Sequence, residues 1–302
     1  MYYPATMSLS FRIAHVSDLH LSPREPSRLK QAEKIAKSLT NTHPDFIVVT
    51  GDLTDDGWEN QSDLAFAKDW LNKLNIPWRA VPGNHDVGNF ANQPDGAITA
   101  ERVERWVEVF QPTQVTHQQP QAGTWLEQLP GWCIIGLNTM LLGSGLLGSG
   151  LDLEAQQNAW LHETVIAAET RGDQILVFQH SPLMIDSIDE TLAPSAGYWL
   201  GQTEARKALL EHMISPMLRL IGSGHVHQSR LEQTPVLSDC PMTAAWAPPA
   251  SGTWVSSAGL PNAPAPEKTG YFMHTLSPDG LTTETILAAP ILKAVEFTPW
   301  PG

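Results

Sequence analysis

Eight residues able to hold a metal ion sit beside short apolar runs: Asp18 and His20 in SDLH, Asp52 in GDLTDDG, Asn84 and His85 in GNHD, His180 in QHSP, and His225 and His227 in GHVH. In extended chain, residues i and i+2 point to the same side, so Asp18 and His20 can face one point, and so can His225 and His227. The donors are nitrogen and oxygen without thiolate. Such a set suits Mn, Fe or Zn in an open site rather than a closed structural zinc. With one carboxylate shared, the donors suffice for two ions. Taken singly, a buried His is often a hydrogen-bonded core residue, and an Asp after a strand is often a helix N-cap. Five such segments in one chain weigh heavily against that reading of the whole set.

The elements that must position these residues alternate in type. Phe11–Ser17 and FIVVT at Phe46–Thr50 are short β-branched runs that suit buried strands, and Trp78–Val81 suits a third. Between them, Leu29, Ala32, Ile35, Ala36 and Leu39, and then Leu64, Ala67, Trp70, Leu71 and Leu74, recur at helical spacing. The order βαβαβ predicts an α/β sheet with helical crossovers. Asp52 follows FIVVTG and His180 follows ILVFQ, so each leaves a buried strand at its carboxyl end, where open α/β sheets collect ligands. Further strands are expected at Cys133–Leu137, Gln174–Gln179 and Leu218–Ile221, with helices over Thr99–Phe110, through Trp160 to Ala168, and over Gln202–Met213. LLGSGLLGSG, a pentapeptide written twice at 141–150, reads as a flexible loop. After His227, short runs at Val236-Leu237, Trp254-Val255, Tyr271–Leu276 and Thr282–Leu287 read as strands completing one domain over 1–302. A turn at Pro278-Asp279-Gly280 separates the last two.

The ordered set D-x-H, G-D-x-x-x-x-G, G-N-H-D, a lone H and G-H-x-H, from Asp18 to His227, resembles the signature of the calcineurin-like metallophosphoesterase superfamily. The resemblance implies a four-layer αββα sandwich with two central mixed β-sheets. It implies that Asp18, His20 and His227 hold one metal, that Asn84, His180 and His225 hold the other, and that Asp52 bridges them. It places His85 over the substrate phosphate, with Asp86 near enough to orient it. Two ions would supply a water that loses its proton near neutral pH and attacks phosphorus in line with the leaving oxygen. His85 is suited to stabilise charge growing on phosphoryl oxygens or to protonate the leaving alkoxide. The layout from Gly150 to Leu161 further resembles the bacterial cyclic-nucleotide and glycerophosphodiester branch of the superfamily.

Composition narrows the substrate. The formal net charge is −14 with only 18 Lys and Arg, so a surface gripping a nucleic-acid backbone is not expected, and a nuclease is disfavoured. A phosphomonoester dianion needs cations beyond the metals, and near the motifs only Arg24, Arg79 and Arg230 are on offer. A small phosphodiester is therefore preferred, with a phosphomonoesterase, including one acting on phosphoproteins, as the alternative. A silent scaffold on the same fold would be expected to have lost ligands, and none is lost. Trp58, Tyr198, Trp199, Trp246 and Trp254 are candidates to stack on a base, although core packing is the commoner role. His15, His43, His117, His162, His212 and His274 have no ligand-like spacing and read as structural or surface; Asp55 and Asp56 read as loop caps. Cys133 reads as a buried small hydrophobe, and two cysteines make no disulfide framework. No signal peptide and no membrane span are apparent, so a cytoplasmic protein is expected, with a homodimer permitted by exposed tryptophans.

Overall fold

The computed structural model describes residues 10–89, 96–110, 120, 122–148, 150–183, 203–225, 227, 230–234, 242–246 and 270–288. The first stretch builds β1 (Phe11–Val16), α1 (Pro26–Thr42), β2 (Phe46–Thr50), α2 (Gln61–Lys73), β3 (Trp78–Val81), the single turn α3 (Asn84–Val87) and α4 (Ala100–Phe110). There follow β4 (Trp125–Leu129), β5 (Trp132–Gly136), the small β6 (Leu147–Gly148) and β7 (Leu151–Asp152), α5 (Leu153–Arg171), β8 (Gln174–Phe178), α6 (Thr203–Met213) and β9 (Leu218–Ser223). The last described strands are β10 (Arg230–Thr234), β11 (Met242–Trp246), β12 (Gly270–Ser277) and β13 (Gly280–Leu287).

Two mixed sheets form, of order β13-β12-β1-β2-β3 and β10-β11-β9-β8-β5-β4. Strand periodicity explains how they stack. Ile13, Phe46, Val48 and Phe272 of the first sheet pack against Trp132, Ile134, Leu176, Phe178 and Leu220 of the second. The alternate residues of the first sheet, Ala14, Val16, Ile47 and Val49, face outward onto Leu39 of α1, Trp70 of α2 and Trp106 of α4. On the far side, Ile135, Ile175 and Val177 meet Leu161 and Val165 of α5 and Leu209 and Met213 of α6. The layers are therefore α, β, β, α, as expected. Each large apolar side chain so buried contributes about 1.5–3 kcal/mol relative to exposure.

Local signals set the helix ends. Pro26 opens α1 without losing a bond, because its missing N–H would be unsatisfied there anyway. Asp152 caps α5 by accepting from the Ala155 N–H at 3.0 Å. The described residues of the repeat, 141–148 and 150, are more ordered than a flexible loop: they enter on a 3-10 turn at Thr139–Leu141 and continue into the β6/β7 pairing. Beyond that pairing, three strands were not legible beforehand. β4 (WLEQL) is a short edge strand turned back on β5, and β10 and β11 carry little alternation. The strands expected at Val236-Leu237 and Trp254-Val255 lie outside the described residues.

Candidate metal centre

The site is assembled at the carboxyl ends of parallel strands. Asp18 and His20 follow β1, Asp52 follows β2, and Asn84, His85 and Asp86 begin α3 after β3. From the second sheet, His180 follows β8, and His225 and His227 follow β9. The backbone there is strained in a telling way. Among the described residues, seven non-glycine residues have positive φ, and five of them are Asp18, His20, Asp52, His225 and His227. The other two, His43 and Asn75, sit at helix ends. Left-handed backbone at a residue with a Cβ is costly and persists where the surroundings over-determine it, as at functional sites. Here the strands supply that constraint: the Asp18 N–H donates to the Gly51 carbonyl at 3.1 Å, and the His20 N–H to the Asp52 carbonyl at 2.9 Å. Gly51 itself has φ +82° and lies against the His180 ring, so a Cβ there would strike the imidazole.

The side chains converge into two groups. One ligand atom each from Asp18, His20, Asp52 and His227 lie within 4.8 Å of one another, and so do those from Asp52, His180 and His225. Asp52 belongs to both. In the first group His227 Nε2 is 3.0 Å from Asp18 Oδ1 and 3.4 Å from His20 Nε2. In the second, His180 Nε2 is 3.3 Å from Asp52 Oδ2, 3.1 Å from Asn84 Oδ1 and 3.0 Å from His225 Nδ1. A third overlapping set joins His20, Asp55 and His85, but the Asp55 carboxylate is ion-paired with Arg28.

These groups fit metal ions better than they fit each other. His180 Nδ1 donates to the Thr50 carbonyl at 2.7 Å, so in the neutral ring Nε2 is a bare lone pair. That lone pair faces two oxygen acceptors and a second imidazole, an arrangement that calls for a cation at its centre. The electrostatics agree. Burial opposes charging the His180 ring, but Asp52 and Asp18 outweigh it and raise it to about 9. Burial likewise opposes ionisation of Asp52, yet the His180 and His85 rings hold its carboxyl well below the usual range. Burial depresses His20 and His225. His20 Nδ1 is buried without a hydrogen-bond partner, and an Asp55 carboxylate oxygen lies 3.9 Å away.

His85 stands beside the first group. Its ring meets the His20 ring edge-on, with centroids 4.6 Å apart, and the His85 main-chain N–H donates to Asp52 Oδ1 at 2.9 Å. The orienting partner of this ring differs from the expectation. His85 Nδ1 bonds the Asp55 main-chain carbonyl at 2.5 Å. The Asp86 carboxylate instead accepts from the N–H groups of Gly83 at 2.9 Å, Leu53 at 3.2 Å and Thr54 at 2.9 Å, and from Thr54 Oγ1 at 2.8 Å. Asp86 thus ties the turn carrying His85 to the loop carrying Asp52. The physical reason is that buried N–H groups of both segments converge beneath that turn and draw the carboxylate away from the ring. Burial, then the Asp52 charge, pushes Asp86 up to about 6.

A model described as "Calcineurin-like phosphoesterase" matches residues 11–229. The chain belongs to that family. It is 26% identical over 248 residues to a protein of Synechococcus sp. named a probable cyclic nucleotide phosphodiesterase, covering 78% of this chain and 82% of that one. It is 29% identical over 212 residues to the serine/threonine-protein phosphatase CPPED1 of Mus musculus, covering 67% of this chain and 59% of the phosphatase. Among solved structures, a dimetal phosphatase from Danio rerio shares the fold with a TM-score of 0.61 at 12% identity, covering 92% of this chain and 96% of that one. A purple acid phosphatase from yellow lupin gives 0.64 at 13% identity, covering 95% of this chain and 52% of that one. The chain is thus a metallophosphoesterase, a hydrolase of phosphoric esters.

Other candidates fall away from the centre. His15 and His274 are buried between the sheets, and His43 caps α1. His162 and His212 meet edge-on between α5 and α6. Trp58 has the Arg102 guanidinium 4.7 Å over its ring. Cys133 is buried, its thiol pushed up to about 12 by desolvation. Tyr198, Trp199, Trp254, His117, Cys240 and the side chains of Trp246 and Arg230 lie outside the described residues. Asp55, read from the sequence as a loop cap, is the residue whose importance was missed. Its carbonyl and carboxylate face two different histidines, and no spacing rule reports that.

Proposed function

We propose that this metallophosphoesterase hydrolyses a small phosphodiester, of the cyclic-nucleotide or glycerophosphodiester kind, with two ions held as Asp18, His20 and His227, then Asn84, His180 and His225, bridged by Asp52. The observation that carries the dinuclear reading is that Asp52 belongs to both converging groups. Two bound ions would supply Lewis acidity and a water acidic enough to act as nucleophile at neutral pH. The chain's own work is positional. The Thr50 carbonyl holds His180 in the tautomer that presents Nε2. The Asp55 carbonyl fixes the His85 ring by accepting from Nδ1–H, so that Nε2 is the nitrogen turned to the substrate, and in the protonated ring its N–H can donate to a phosphoryl or leaving oxygen. The substrate preference is supported by charge. Arg24 is committed to Asp56 at 2.5 Å and Asp63 at 2.8 Å, and Arg79 is paired with Glu127. Neither offers a free charge to a monoester dianion, whereas a diester carries a single charge that two ions suffice to meet.

The test is turnover of bis-p-nitrophenyl phosphate against p-nitrophenyl phosphate by protein reconstituted with manganese. A clear preference for the bis-ester is expected. Preference for the monoester would overturn the diester reading in favour of a phosphatase. No helix among the described residues is long and apolar enough to cross a membrane.

A further inference from the structure

α1 supplies no member of the ligand set, yet one of its residues reaches the centre. Arg28 stands in the first turn of α1 and heads the stripe Arg28, Ala32, Ile35, Leu39 that this helix turns inward; only 8% of it is exposed. Its Nη1 donates to Asp55 Oδ1, with 9% and 22% of the two side chains exposed. A buried cation is costly without a partner, and the partner here stands between two histidines. The same Asp55 Oδ1 lies 3.9 Å from His20 Nδ1, and the Asp55 carbonyl accepts from His85 Nδ1 at 2.5 Å. The Asp55 N–H donates to the carbonyl of Leu21, the neighbour of His20 in the chain, at 3.3 Å. One residue of the loop after β2 thus faces both rings, and Arg28 grips its carboxylate.

The two contacts made by Asp55 differ in kind. At 3.9 Å, the approach of its carboxylate to His20 Nδ1 is electrostatic rather than a hydrogen bond. It still favours a proton on Nδ1, which leaves the Nε2 lone pair for an ion. Nε2 is the His20 atom that faces the first group, 3.4 Å from His227 Nε2. The contact to His85 is a hydrogen bond and sets the plane of that ring.

We infer that Arg28 is a positioning residue of the metal centre, acting through Asp55 on two histidines of different role: His20, a ligand of the first ion, and His85, the ring on the substrate side. The inference deepens the dinuclear reading and rests on it. Its sign separates placement from charge. As a point charge, Arg28 repels a divalent ion, so its removal would tighten metal binding. As the holder of Asp55, its removal frees a partly exposed carboxylate to turn into water, which weakens the first ion and loosens His85.

The probe is manganese alone. Its affinity for the reconstituted full chain is measured by competition with a chelator, and bis-p-nitrophenyl phosphate turnover at saturating manganese is measured beside it. Arg28→Met should weaken one of the two manganese equivalents about tenfold and leave the other nearly unchanged. At saturating manganese, kcat should fall about tenfold with KM changed much less, because His85 is displaced in a site that still fills. Arg28→Lys, which keeps a charge at the carboxylate, should recover part of both losses. In an Asp55→Asn background, Arg28→Met should add little to either. Manganese bound as tightly by Arg28→Met as by the parent, or more tightly, would overturn the inference. So would a full further loss in the Asp55→Asn background, which would make Arg28 a scaffold of α1 and nothing more. If Arg28→Met does not fold, Arg28→Gln is read in its place with the same outcomes. Failure of the phosphoesterase reading shows separately: a parent that fills with manganese and turns over no ester contradicts that reading, while the manganese affinities still decide this one.

Discussion

Two groups of histidines behave differently in this molecule. His20, His180 and His225 stand at strand ends around Asp18 and Asp52, whereas His15 and His274 lie inside the sandwich among Phe178 and Phe272. The interior pair completes its own hydrogen bonding. Thr283 Oγ1 lies 2.8 Å from His274 Nδ1, His274 Nε2 3.3 Å from His15 Nδ1, and His15 Nε2 2.9 Å from Thr50 Oγ1. Two neutral rings satisfy this row head to tail, each donating from Nε2 and accepting at Nδ1. The strand-end group cannot be satisfied in that way. Its lone pairs and carboxylates face one another, and four of its members, Asp18, His20, Asp52 and His225, have left-handed backbone that the interior pair lacks. Burial alone therefore says little about a histidine. Convergence on carboxylates from a strained backbone says much more.

The contrast can be broken by substitution. Asp52→Asn, which removes the charge of the carboxylate common to both groups, should remove metal and lower bis-ester turnover about a thousandfold or more, about 4 kcal/mol of barrier. Turnover retained with two metals bound would mean that the two groups are not one centre. His85→Ala should keep both metals and lower turnover on the order of a hundredfold, the range of a positioned acid or base; loss of metal in that variant would contradict its placement outside the ligand set. Asp55→Ala should weaken metal binding about tenfold, the lower range for a group that orients a ligand, as read by competition with a chelator. An unchanged affinity would show that the 3.9 Å approach to His20 Nδ1 does nothing.

His274→Phe provides the opposite test. Turnover of the folded protein should change little, while stability falls by about 1–3 kcal/mol for the donors and acceptors left unpaired. The pH dependence should change as well. Burial pulls His274 down to about 3 in the fold, against about 6.5 in an unfolded chain. Between these values the unfolded state binds more protons, so stability falls as pH drops from about 6.5 toward 3. Denaturation midpoints across that range should show a shallower acid slope in His274→Phe than in the parent. An identical slope would mean that His274 is not held neutral.

The legible parts of the molecule were those written in local pattern. FIVVT gave β2, the helical spacing of Leu64, Ala67 and Trp70 gave α2, and the five motifs lay where strands end. What stayed hidden depends on contacts far apart in sequence. The Asp55 carbonyl meets a ring 30 residues later, and the Asp86 carboxylate reaches back to Thr54. β4, β10 and β11 were missed because they are short strands that owe their form to pairing, β4 with β5 and β11 with β10 and β9, rather than to their own composition.

The most direct test of the central claim is metal stoichiometry, by elemental analysis of manganese-reconstituted protein after gel filtration, compared with Asp52→Asn. Two equivalents per chain in the parent, with both sites weakened together in Asp52→Asn, is the result that the shared carboxylate requires. A single equivalent in the parent, or loss of only one ion in the variant, would contradict a centre bridged by Asp52.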